Sequence, residues 1–112
     1  MEITIDRNYD FMPEFNGNKT SDKPVVLHMR RLSTGERDKL IAWDFDERGG
    51  AKLIPDRRGL FLLAVVSIDN LTVNGEPVKT AKDALEKPGL DLLFAEVVAN
   101  IMGANAREDL KN

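Results

Sequence analysis

Between Leu90 and Ile101, apolar side chains recur at Leu90, Leu93, Phe94, Val97, Val98 and Ile101. Spacings of three and four put all of them on one face of an α-helix, and no strand could gather them on one side. Asp91 falls in the first turn, where the helix dipole favours a carboxylate, and Gly103 marks the end. A face this apolar must be covered. The remainder of the chain therefore has to supply a sheet or further helices to pack against it.

The N-terminal quarter reads with a period of two. Met1, Ile3 and Ile5 alternate with Glu2, Thr4 and Asp6, which predicts a half-buried strand over residues 1–6. Tyr9 and Phe11 keep the same spacing and extend that strand past a small irregularity. The polar stretch Asn16 to Lys23 reads as a solvated, mobile loop. Pro24 then opens a second strand, running to Leu32. Val25, Leu27 and Met29 share one of its faces; Val26, His28 and Arg30 share the other. The two strands are expected to pair antiparallel.

Helical signals follow. Ser33-Thr34-Gly35-Glu36 is a capping box, and the helix it opens is expected to run to about Trp43, with Leu40 and Trp43 three apart. Asp44 to Gly50 breaks that pattern. The continuous apolar run Leu60 to Val66 suits either a buried strand or a helix. The stripe Leu60, Phe61, Ala64, Val65 and Ile68, after Pro55-Asp56, favours helix. Asn74-Gly75 between Leu71-Thr72-Val73 and Glu76-Pro77-Val78 signals a small hairpin. Thr80 caps a short helix to about Lys87, closed by Pro88-Gly89. This order predicts an α+β fold: small N-terminal antiparallel strands, then a mostly helical C-terminal part with one small hairpin. The expected organisation is a single domain over 1–112. Residues 1–32 are its strand-rich part, 33–104 its helical part and 105–112 a frayed tail.

Composition removes several classes of function. The chain has 112 residues, no cysteine and one histidine. Disulfides, thiolate chemistry and multi-histidine metal sites are excluded. Net charge is −3 and neither half is basic, so no nucleic-acid partner is expected. The seven residues Leu60 to Val66 form the longest apolar run, against the roughly 20 that a membrane helix needs, and no membrane association is expected. Met1 to Asp6 has no basic region followed by an apolar stretch, so the expected compartment is the cytoplasm.

The search for chemistry gives little. His28 is the one possible imidazole base, but it lies mid-strand with no nucleophile-elbow motif in the chain. Asp44, Asp46 and Glu47 lack the spacing of a calcium loop and read as a solvated acidic turn. Arg30-Arg31 and Arg57-Arg58 lie near carboxylates and read as surface charge or local ion pairs. No glycine pattern matches a phosphate-binding loop, and no cofactor is expected. Leu92 and Met102 flank the last helical stripe and widen its apolar arc. Two readings of that arc stay open: core alone, or core plus interface. If a partner docks there, the contacts fall at Leu92 and Met102, and at Ala84 and Leu85 of the short helix.

The order of these motifs resembles that of the tail assembly chaperones of long-tailed phages and prophages. The matching segments are the aromatic stretch Phe11 to Asn18, the strand and capped helix Pro24 to Leu40, the run Val66 to Val78, and the closing pattern Thr80 to Leu85, Pro88 to Leu90 and Leu93 to Ile101. The resemblance implies a helix where Leu60 to Val66 lies. It also implies a non-enzymatic cytosolic protein that binds the tape measure protein, the tail tube protein or both. Homo-oligomers are compatible with it. Many such chaperones are made in two lengths by a translational frameshift, and the resemblance implies that this chain is the short form. The competing expectation is a structural virion component: a head–tail connector, tail completion or minor tail protein.

Overall fold

The computed structural model describes residues 1–103. The expected frayed tail, 105–112, and residue 104 lie outside the described residues. The fold is α+β, with antiparallel strands in the N-terminal part and helices in the C-terminal part.

A three-stranded sheet forms the base. β1 (Asn8–Phe11) pairs antiparallel with β2 (Val26–Arg30), which pairs antiparallel with β5 (Val65–Asp69). Tyr9 lies opposite Met29, and Leu27 opposite Ile68. The inner face carries Leu27, Met29, Val65 and Ile68, all buried, with Tyr9 and Phe11 half-buried at the edge. The first strand is therefore at residues 8–11, and the expected strand over 1–6 is absent. Residues 1–6 are exposed throughout. Ile3 and Ile5 alternate but meet no apolar surface, whereas Tyr9 and Phe11 reach the core. The β2–β5 register shifts between His28 and Met29. This bulge leaves Val66 outside the pairing, with its side chain exposed.

Within the stretch expected as a mobile loop, Asn16 to Lys23, most residues instead belong to 3₁₀ turns over Phe15–Thr20, with Asn16 and Gly17 in the left-handed region at φ 51° and 68°. Buried Asn18 fixes them to the start of β2.

After β2 the Ser33 capping box forms as expected: its hydroxyl accepts from Glu36 N–H, and the Glu36 carboxylate accepts from Ser33 N–H. The helix is much shorter than expected. α1 covers only Thr34–Asp38, and Ile41–Phe45 is a strand, β3, paired with β4 (Ala51–Pro55). Ile41, Trp43 and Phe45 alternate, and this period of two wins over the three-residue spacing of Leu40 and Trp43. Asp46 shapes the turn, its Oδ1 accepting from the N–H groups of Arg48 and Gly50 at 2.9 and 2.7 Å.

The run Leu60 to Val66 is divided rather than wholly helical. α2 (Arg57–Ala64) starts where expected, capped by Asp56, and buries Leu60, Phe61 and Ala64. The chain passes directly into β5 at Val65. Val65, Val66 and Ile68 are β-branched and suit a strand. The expected small hairpin is present as β6 (Thr72–Val73) and β7 (Glu76–Pro77). Asn74 and Gly75 both take positive φ, 52° and 81°, as a type I′ turn requires. α3 (Ala81–Glu86) is capped by Thr80, whose hydroxyl accepts from Asp83 N–H at 3.1 Å. α4 (Asp91–Ile101) lays Leu93, Val97, Val98 and Ile101 into the core. Phe94, on the same apolar stripe, is only half-buried.

Candidate functional site

α2, α3 and the N-terminal turn of α4 meet around a cleft of about 250 Å³. α2 and α3 are each placed by a side-chain cap and a buried face, and α4 by its buried face. Asp56 fixes α2, so that Phe61 and Arg58 point toward the cleft. Thr80 fixes α3, which contributes Ala84, Leu85 and Lys87. Leu90, Asp91, Leu93 and Phe94 close the third side. The Phe61 and Phe94 rings form much of the apolar wall, with centroids 5.3 Å apart and planes tilted by 48°.

The rim carries both charges: Arg57, Arg58 and Lys87 stand beside the exposed Asp91 carboxylate. The Arg57 guanidinium lies over the Phe94 ring at 4.9 Å, an arrangement that favours a cation on a π face. Lys87 Nζ contacts Glu76 Oε2 at 2.6 Å. That contact holds the Lys87 ammonium above its usual pKa and the Glu76 carboxyl below its own. Arg58 lines the cleft itself. An apolar floor with both charges at its edge suits an apolar side chain carried on a polar segment.

No family model, curated protein or solved structure matches this chain. The functional reading therefore stands on geometry and on the order of motifs.

The four residues expected to contact a partner do not form one surface. Ala84 is buried and Leu85 half-buried, and both line the cleft. Leu92 is 69% exposed, on the outer side of α4. Met102 is half-buried against the core, about 15 Å further along the helix at 1.5 Å per residue. Phe61, Phe94 and Arg58 were not foreseen as cleft residues. Leu90 and Phe94 are four apart, and that spacing was the available signal.

Elsewhere, His28 lies on the exposed face of the sheet between two carboxylates. Nδ1 is 2.7 Å from Asp10 Oδ1 and Nε2 is 2.6 Å from Asp69 Oδ2. The Asp69 hydrogen bond, then that of Asp10, raises the imidazole above its usual pKa. An imidazolium held at both nitrogens has no lone pair to accept a proton, so this geometry suits cross-strand bracing rather than general-base chemistry.

The arginines expected as surface charge or local ion pairs divide. Arg30 reaches Glu36 at 3.4 Å, a carboxylate it shares with Arg7 at the same distance. Arg31 instead lies over the Tyr9 ring at 4.6 Å and donates to the Asp6 carbonyl. Tyr9 in turn donates to Asn100 Oδ1 at 2.5 Å, tying β1 to α4, and burial pushes its phenol up. Among the described residues, no group of three or more metal-ligating side chains converges.

Proposed function

We propose that the protein is a tail assembly chaperone that holds an apolar segment of a tape measure protein, a tail tube protein or both, without catalysing a reaction. The observation that carries this reading is the cleft between α2, α3 and α4, with its apolar wall and a charged rim of Arg57, Arg58, Lys87 and Asp91. A holding chaperone needs an apolar seat, charged flanks and reversible contact. The motif order described above supports the same role. Recognition is helix-in-groove, with one or two buried anchors supplying most of the affinity. The site of action is the cytoplasm of an infected or lysogenic cell.

Co-expression with the tape measure protein, followed by capture on a tagged chaperone, tests this. The tape measure protein should stay soluble and co-purify. Leu85→Lys places a charge in the cleft and should reduce capture at least tenfold, the effect of losing a hot-spot anchor. Full capture by the folded Leu85→Lys chain would remove the cleft from the account.

The alternative is a structural virion component. The exposed apolar face of the β3–β4 ribbon favours it, since a permanently assembled subunit has use for such a surface.

A further inference from the structure

We propose that the β3–β4 ribbon is the homodimerisation surface of this protein. The inference rests on neither functional reading above. In the ribbon, Ile41 lies opposite Pro55, Trp43 opposite Leu53 and Phe45 opposite Ala51. Residues opposite one another share a face, so all six apolar side chains stand on one side. The other side carries Ala42 opposite Ile54 and Asp44 opposite Lys52. Trp43 is 60% exposed, Phe45 69% and Leu53 46%, and the two rings stack with centroids 6.3 Å apart. The body covers little of this face. Besides the β3–β4 pairing, the main anchors among the described residues are contact with α1 and the hydrogen bond from Asp56 N–H to the Leu40 carbonyl. An isolated two-stranded ribbon is marginal in water, and this one needs cover.

The shape of the face selects a second copy as that cover. In each of the three cross-strand pairs the bulkier side chain comes from β3: Ile41 over Pro55, Trp43 over Leu53, Phe45 over Ala51. β3 is therefore a ridge and β4 a trough. A two-fold axis parallel to the strands sets the ridge of one copy over the trough of the other, the self-complementarity that an isologous interface requires. An in-plane axis across the strands would stack ridge on ridge, so the geometry chooses the first.

Area agrees. With aromatic side chains of about 150–250 Å² each, the face exposes about 500 Å² per copy. A symmetric pair then buries about 1,000 Å², at the threshold for a specific interface. The expected dimer is weak and depends on concentration.

Trp43 is the sole tryptophan, so its emission reports this face and no other. Light scattering coupled to size exclusion should give twice the 12.5 kDa chain mass at about 100 μM, where an interface with a Kd of about 1–10 μM is filled. On dilution, the mass should fall to the monomer as Trp43 emission shifts to the red. Leu53→Lys keeps the reporter and should give a monomer with red-shifted emission and unchanged far-ultraviolet circular dichroism. If that variant does not fold, Phe45→Thr, which keeps a strand-forming residue, replaces it with the same expectation. Val66→Lys, on the exposed face of the other sheet, should remain dimeric. A wild-type monomer at 100 μM would overturn the proposal, as would a folded Leu53→Lys dimer. Both measurements use the chain alone, so failure here leaves the tape measure experiment unaffected.

Discussion

Asn18 shows how much a single buried amide can organise. Its Nδ2 donates to the carbonyls of Pro13 and Val25 at 2.9 and 3.0 Å, while Oδ1 accepts from Val25 N–H at 2.7 Å. Asn18→Ala orphans two carbonyls and one amide, each costing about 1–3 kcal/mol where water cannot replace the bond. A net loss of about 3 kcal/mol is expected, seen as a lower urea midpoint at unchanged slope. An unshifted midpoint would mean that the 15–20 turns do not need this side chain. His28 gives a prediction with a sign. Its partners Asp69 and Asp10 raise the folded-state pKa above 6.5, so the charged ring is favoured by folding. The stability it contributes is complete below that unfolded value and is lost as pH rises through the folded one. The advantage of wild type over His28→Gln should therefore shrink between pH 6 and pH 9, and also with added salt, because the cluster is exposed. A constant difference across that range would contradict the bracing role.

At the scale of elements, packing decides which sequence patterns survive. Leu93 is 1% exposed while its neighbour Phe94 is half-buried at the cleft. Leu93→Ala should cost about 2–5 kcal/mol, and Phe94→Ala clearly less, by thermal or urea unfolding. Equal losses would place Phe94 in the core and close the cleft. Patterns with a local physical cause were readable in advance: the Ser33 box, the Thr80 cap, the Asn74-Gly75 turn, the stripe of α4 and the β2 alternation. The missed elements share a different cause. Residues 1–6 alternate as well as any strand, yet pairing is decided by Tyr9 and Phe11 reaching the core. Leu60 to Val66 contains no breaker, so the passage from α2 to β5 is set by the pairing of Val65 with Met29, a long-range fact. Trp43 was legible in two ways, at helical spacing from Leu40 or at strand spacing from Ile41 and Phe45. Because β3 has little body to pack on, burial gave no hint of which reading would hold. The same holds for the cleft. Ala84 and Leu85 were anticipated on α3, but Phe61, Phe94 and Arg58 join them only through tertiary packing.

For the whole molecule, the sheet β1-β2-β5 and the helices α2, α3 and α4 build one core, and the cleft and the apolar ribbon are among the surfaces that the described residues leave uncovered. A chaperone reading assigns the cleft to a client and the ribbon to self-association. In native-state hydrogen exchange of the dilute protein, amides of Leu27 and Met29 on the central strand should be the slowest and those of the β3–β4 ribbon much faster, because the ribbon has few buried contacts. Uniform protection would mean that the ribbon belongs to the core. The role itself turns on whether the protein leaves when assembly ends. On the proposed reading the chain is encoded by a phage or prophage, and quantitative mass spectrometry of particles purified from that phage is the direct measurement. As a chaperone the protein should be absent from mature particles while abundant in the lysate. Its presence at a fixed copy number per tail would contradict that role and identify a structural component of the virion.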